Sequence, residues 1–175
     1  MNKIIFLLLI LIQLSSCSFH SSQYDLFKSL VLQEDSSMKP EKNWIAYWVN
    51  QQIDLYAINF EDQIIFADED INIFYKDKQV YKIIGLLPEN SVLEIDSNDG
   101  ALVYILNGKK IAVGPCEAGQ SAVMDDLSEK YSRSCAESRL EKRYENQVIV
   151  NSEGMIISMQ FKVHPDYPLL QLSMK

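Results

Sequence analysis

From residue 44 onward the sequence is a succession of short runs rich in β-branched and aromatic residues, each closed by a brief turn signal. That rhythm constrains the fold more than any other feature, because runs of this length punctuated by Asn, Asp and Gly build antiparallel hairpins. The strongest single signal is Asn107-Gly108. This pair is preferred in the two-residue type I′ turn, where both central residues take positive φ, and it predicts that residues 101–106 pair with 109–113. The same logic pairs 43–50 with 53–60 around Gln51-Gln52, and starts 63–66 after Glu61-Asp62. It also pairs 71–75 with 79–84 around Lys76-Asp77-Lys78, and 92–95 with 101–106 across a turn in which Gly100 supplies a positive φ. Near the end, 147–150 and 155–163 flank Asn151-Ser152-Glu153-Gly154, and 169–174 forms a closing edge.

Two segments depart from the period of two. Tyr24, Phe27, Leu30 and Val31 have the spacing of one helical face, with Ser21 or Ser22 as cap, and predict a short helix over 24–32. Val123, Met124, Leu127 and Tyr131 suggest a second short helix over 121–131. The run Trp44-Ile45-Ala46-Tyr47-Trp48-Val49 is apolar on both sides and needs cover on both faces. The expected architecture is mainly β: a curved antiparallel meander, or half-barrel, with one or two short covering helices. Residues 24–175 form one domain, long enough to bury a core.

The N-terminal region carries a different signal. Lys3 precedes an apolar run over 4–12, which ends in Leu14-Ser15-Ser16-Cys17. The run is shorter than the roughly 20 residues a membrane-spanning helix needs, and it suits a signal h-region. Leucine and two small residues before a cysteine form a bacterial lipoprotein signal; the alternative is an ordinary secretory signal followed by a free cysteine. On the lipoprotein reading, residues 1–16 are a leader and Cys17 takes a diacylglyceryl group on sulfur and an acyl group on its freed amine. Residues 17–23 are then the lipidated cysteine and a flexible stalk. Two or more acyl chains anchor stably. Ser18, in place of the Asp that retains such proteins at the inner membrane, points to the outer membrane, with the body facing the periplasm.

Charge and inventory remove most other functions. The formal net charge is −8 and the pI about 4.7. Lys and Arg cluster only over 139–143, where Glu141 interrupts them, so nucleic acid is not an expected partner. Apart from Cys17, only Cys116 and Cys135 remain, an even pair for an oxidising compartment. A disulfide there is worth about 3 kcal/mol; a reactive dithiol is the sharper alternative, at a spacing far from C-x-x-C. The two histidines, His20 and His164, cannot supply a multi-histidine metal centre, and neither a G-x-S-x-G elbow nor a phosphate-cradling glycine motif is present. Asp68-Glu69-Asp70-Ile71-Asn72 imitates the start of a calcium loop, but Ile73 stands where glycine must turn and Gln79 where the bidentate Glu belongs. An acidic turn is the better reading. Trp44, Tyr47, Trp48 and Tyr56 are either a sugar-stacking platform or core residues, and strand aromatics are more often core. No catalytic residue, metal or cofactor is expected beyond the covalent lipid, and the chain does not read as an enzyme.

Three stretches carry a family resemblance. The lipoprotein signal ending at Cys17 leads into a short helix with Phe27; residues 70–73 and 79–86 form a hairpin closing on Gly85-Leu86; residues 144–150 with Gly154, Ser158 and Gln160 form a strand–turn–strand. Together they resemble the YjbF/GfcB family of outer-membrane lipoproteins linked to exopolysaccharide and group 4 capsule export. The resemblance implies a β half-barrel with helix cover, partners in a polysaccharide export system, and no catalytic residues to carry over. Two alternatives stay open. One is a periplasmic half-barrel that binds lipid or another hydrophobic ligand in a cavity lined by Ile45, Trp48, Ile73 and Ile84. The other is a small envelope interaction or inhibitor module using residues 114–120.

Overall fold

A computed structural model describes residues 42–87, 91–98, 100–125, 127–136 and 142–175. The leader, Cys17, the stalk and the helix expected over 24–32 lie outside the described residues. Eight strands run in sequence: β1 (Trp44–Trp48), β2 (Gln51–Phe60), β3 (Gln63–Ala67), β4 (Asn72–Lys76), β5 (Gln79–Ile84), β6 (Val92–Asn98), β7 (Ala101–Leu106) and β8 (Lys109–Pro115). Five more follow: β9 (Gln120–Asp125), β10 (Ser128–Ala136), β11 (Arg143–Asn151), β12 (Ile156–Phe161) and β13 (Leu170–Met174). All pair antiparallel in one 13-stranded sheet, ordered β8-β7-β6-β5-β4-β3-β2-β1-β13-β12-β11-β10-β9. The described residues contain no helix, and the sheet curls into a half-barrel.

The order has a simple origin. β1 to β8 are successive hairpins, and so are β9 to β13; β13 then returns to β1, setting Trp44 opposite Met174 on one side and Leu55 on the other. Asn107 and Gly108 take φ of 49° and 77°, the type I′ geometry expected from their identities. The first turn falls at Val49-Asn50, with φ of 44° and 64°, rather than at Gln51-Gln52. A two-residue turn matches the right-handed twist of its strands, and Asn50 tolerates the left-handed region. That preference outweighs the strain of a β-branched Val49 at positive φ.

Alternation places Trp44, Ala46 and Trp48 inside, none more than 4% exposed. They join one core supplied by both arms of the sheet: Leu55, Phe66, Ile73 and Leu93 from the first, Val148, Met159, Phe161 and Leu172 from the second. Trp44 meets Phe66 edge-on at 4.8 Å, and Tyr75 faces Phe161 across the interior at 6.2 Å. The half-barrel is therefore filled by its own side chains. Each large apolar residue buried in it contributes roughly 1.5–3 kcal/mol.

A second expectation fails. Residues 121–131 are not a helix: they form most of the β9–β10 hairpin, and Val123, Met124 and Leu127 are exposed rather than packed as a helical stripe. The cause lies at the base of the segment, where Cys116 and Cys135 are already opposed as an antiparallel bridge. Residues between them extend that ladder at small entropic cost, whereas a helix would leave it and find no core face to cover.

Gly85 fixes the approach of the β5 end to the acidic turn. Its φ is +81°, and a Cβ there would lie 1.8 Å from the Asp70 carbonyl oxygen. Gly108 has a similar φ of +77° but nothing within 4 Å. Gly85→Ala should lower unfolding free energy by on the order of 3 kcal/mol and Gly108→Ala by about 1 kcal/mol, read by urea denaturation. Equal losses would contradict the contact at Asp70.

Candidate functional site

The chain makes its most unusual local arrangement where β8 passes toward β9. The Cys116 N–H donates to the Gly100 carbonyl at 2.6 Å, continuing the β7–β8 ladder. The same residue is directly opposite Cys135 of β10, and the Glu117 N–H donates to the Ser134 carbonyl at 2.9 Å. This short stretch is thus paired on both sides, and it joins the two arms of the sheet into a seam. Cys116 and Cys135 are disulfide-bonded with their Cα atoms 4.0 Å apart. Gly114 makes the approach possible: a Cβ there would lie 2.9 Å from the Tyr144 hydroxyl and 3.0 Å from the Ala136 carbonyl oxygen.

Polar contacts brace the seam. Arg133 donates through Nε to the Glu117 carbonyl at 3.3 Å and through Nη1 to Ser97 Oγ at 2.9 Å, linking β10 to β6. Arg143 pairs with the Glu117 carboxylate at 2.8 Å, though both are exposed and the pair is worth little by itself. Deeper in, the Tyr104 and Tyr144 hydroxyls lie 2.7 Å apart, and Tyr104 donates to the Lys162 carbonyl at 3.1 Å.

Next to the seam, the arms leave a cleft of about 380 Å³. Its walls include Lys78, Tyr81 and Asp96 from the first arm, and Tyr131, Arg133 and Asn146 from the second. Lys78 Nζ sits 4.6 Å from the centre of the Tyr131 ring, a cation–π contact. Burial pushes the Tyr75 hydroxyl up to about 12, with Tyr131 and Asp77 adding to it, so this phenol stays protonated. The lining contains no histidine or cysteine. Its cations, amides and phenols can donate hydrogen bonds to a polar group, Asp77 and Asp96 can accept them, and the Ser97 hydroxyl is held by Arg133.

The residues singled out in the sequence scatter. Trp48 and Ile73 are buried in the core, whereas Ile45 and Ile84 lie on the other face of the sheet and are partly exposed, so the four do not line one cavity. Trp44 is likewise core and Tyr47 is exposed, which dissolves the aromatic platform. Asp68 closes a turn with its N–H on the Ile71 carbonyl and pairs with Lys42, so the acidic stretch is a turn. Among the described residues no three metal-binding side chains gather. Of residues 114–120, Gly114 is buried in the seam while 117–120 are exposed. Arg133 and the closure itself escaped the sequence; the one available signal was the even pair Cys116 and Cys135.

No family model matches the chain, and neither does any curated protein. Among solved structures it is similar to the crystal structure of the hypothetical lipoprotein YmcC from Escherichia coli. The two are 10% identical, with a TM-score of 0.50, over 86% of this chain and 95% of that one. At that identity the likeness shows the fold.

His164 is 7% exposed. Its Nδ1 accepts the Asp166 N–H at 3.2 Å, and its ring meets Tyr167 edge-on at 4.9 Å. Tyr167 in turn lies 5.5 Å from Trp48, so the histidine supports the core rather than the cleft. Burial holds its pKa below the usual 6.5; Asp166 opposes the shift and Lys162 adds to it. The folded state therefore favours the neutral ring, and the unfolded state binds the extra proton first. Stability should be full above pH 6.5 and fall as pH drops just below it. His164→Asn should flatten that part of a melting-temperature profile; an unchanged slope would assign the loss to other groups.

Proposed function

We propose that this protein is a lipid-anchored, non-enzymatic accessory of the bacterial outer membrane, attached through Cys17 with its body in the periplasm. It acts with protein partners in the export or assembly of exopolysaccharide or capsule. The observation that carries the reading is the combination of Leu14-Ser15-Ser16-Cys17 with a half-barrel similar to that of a hypothetical lipoprotein. The acidic body supports a role through protein contacts rather than through a polyanion.

A half-barrel that takes lipid inside needs an open apolar interior. Here Tyr75 reaches Phe161 and Tyr104 reaches Tyr144 across it, which favours the accessory reading over the lipid-binding one. Reading the chain as a protein-interaction module draws instead on the exposed β9–β10 hairpin. That module is compatible with the anchor.

Cys17→Ala, made in the bacterium that carries the gene, tests both parts. The native chain should incorporate labelled palmitate and fractionate with the outer membrane, and the variant should do neither. Surface polysaccharide should fall several-fold in the variant, as in a deletion strain. A variant that still sediments with the outer membrane would overturn the anchor, and unchanged surface polysaccharide in the deletion strain would overturn the export role.

A further inference from the structure

The sheet ends in two edges of different character. β8 begins with the exposed Lys109 and Lys110 and runs into the seam at Cys116, so charge and pairing guard it. Among the described residues β9 pairs only with β10, and Gln120, Ser121, Ala122, Val123 and Met124 are all exposed. Val123 is 79% exposed and Met124 56%. These side chains alternate between the two faces of the hairpin, so the hairpin projects with both faces open. Natural edge strands are usually protected by lysine, proline or an inward charge. Residues 120–124 carry none of these.

We infer that β9 is a self-pairing edge, through which two copies of this chain join β9 to β9 antiparallel about a two-fold axis. Self-complementarity argues for a second copy as the occupant. The net charge of −8 opposes contact elsewhere on two copies, whereas 120–124 is an uncharged stretch on an open edge where they can meet without facing like charges. Register sharpens the point. A two-fold axis must set one residue opposite itself. With Val123 opposite Val123 of the second copy, Ala122 faces Met124 and Ser121 faces position 125. Both faces of the joined hairpins then gain an apolar cross-strand pair. Setting Ala122 opposite itself instead puts Met124 against Gln120 and Val123 against Ser121, which wastes both apolar residues. The contact is smaller than the roughly 1,200 Å² of a standard stable interface. Pairing is therefore weak in dilute solution and strengthens with local concentration. The inference does not depend on the export role.

Thiol cross-linking of the full-length chain in membranes tests it. Val123→Cys, treated with a short bis-maleimide, should give a covalent dimer at least roughly fivefold above Lys109→Cys on the other edge and above the unsubstituted chain. Adding Ala122→Glu, which sets like charges near each other across the axis while facing Lys130 on β10 within the hairpin, should abolish that excess. Sedimentation of the full-length chain in detergent should show mass rising with concentration, and Ala122→Glu should hold it at the monomer. Equal cross-linking at positions 123 and 109, or a dimer that survives Ala122→Glu, would overturn the inference; so would cross-linking of Val123→Cys solely to other proteins.

Discussion

Cys116 belongs to two ladders at once. Its N–H completes the pairing of β8 with β7 at the Gly100 carbonyl, while its backbone opposes Cys135 on β10. Everything between these contacts, from β7 back through β1 and out again to β10, is a continuous sheet whose two arms would otherwise meet only through side chains. The double pairing turns an open 13-stranded sheet into a half-barrel with a fixed curl. The disulfide makes that junction covalent, and for a loop with a sequence separation of 19 it is worth about 3 kcal/mol.

The other features follow from that closure. With the arms held together, side chains from both fill the interior, and the hydroxyls of Tyr104 and Tyr144 meet in it. The seam occupies one end of β10, where Glu117 bonds Ser134, and β9 occupies the other, where Gln120 opposes Ser132. The outer edge of β9 is left over. A closed barrel has no edge to offer, and an unguarded open sheet invites aggregation. This fold sits between the two: one edge runs into the seam, and the other stays open over a short, uncharged stretch. A lipid anchor at Cys17 would hold such edges at high local concentration, which is where a weak strand-to-strand contact becomes useful.

Much of the fold was legible because hairpin chemistry is local. Asn107-Gly108 declares its turn, and residues 79–84 and 101–106 form strands at those bounds. The failures came where tertiary context decided. Val123, Met124 and Leu127 have helical spacing, yet the Cys116–Cys135 bridge holds their segment in a ladder, and no core face awaits them. Ile45 and Ile84 are as apolar as Trp48 and Ile73, but which face a strand residue takes depends on register, and that is set by distant turns. The cleft was invisible for the same reason: Lys78 and Tyr131 lie far apart in sequence and meet only because the seam brings β10 beside the β4–β5 turn.

Amide hydrogen exchange at Cys116 and Glu117, compared between the oxidised and reduced protein, tests the seam most directly. In the oxidised protein both amides should be protected to a degree approaching the core strands. Reduction should release them, together with Gln120–Asp125 of β9, while β2 to β5 keep their protection. If Cys116 and Glu117 exchange freely in the oxidised protein, or if reduction leaves β9 as protected as before, closure at the seam is not what shapes the half-barrel.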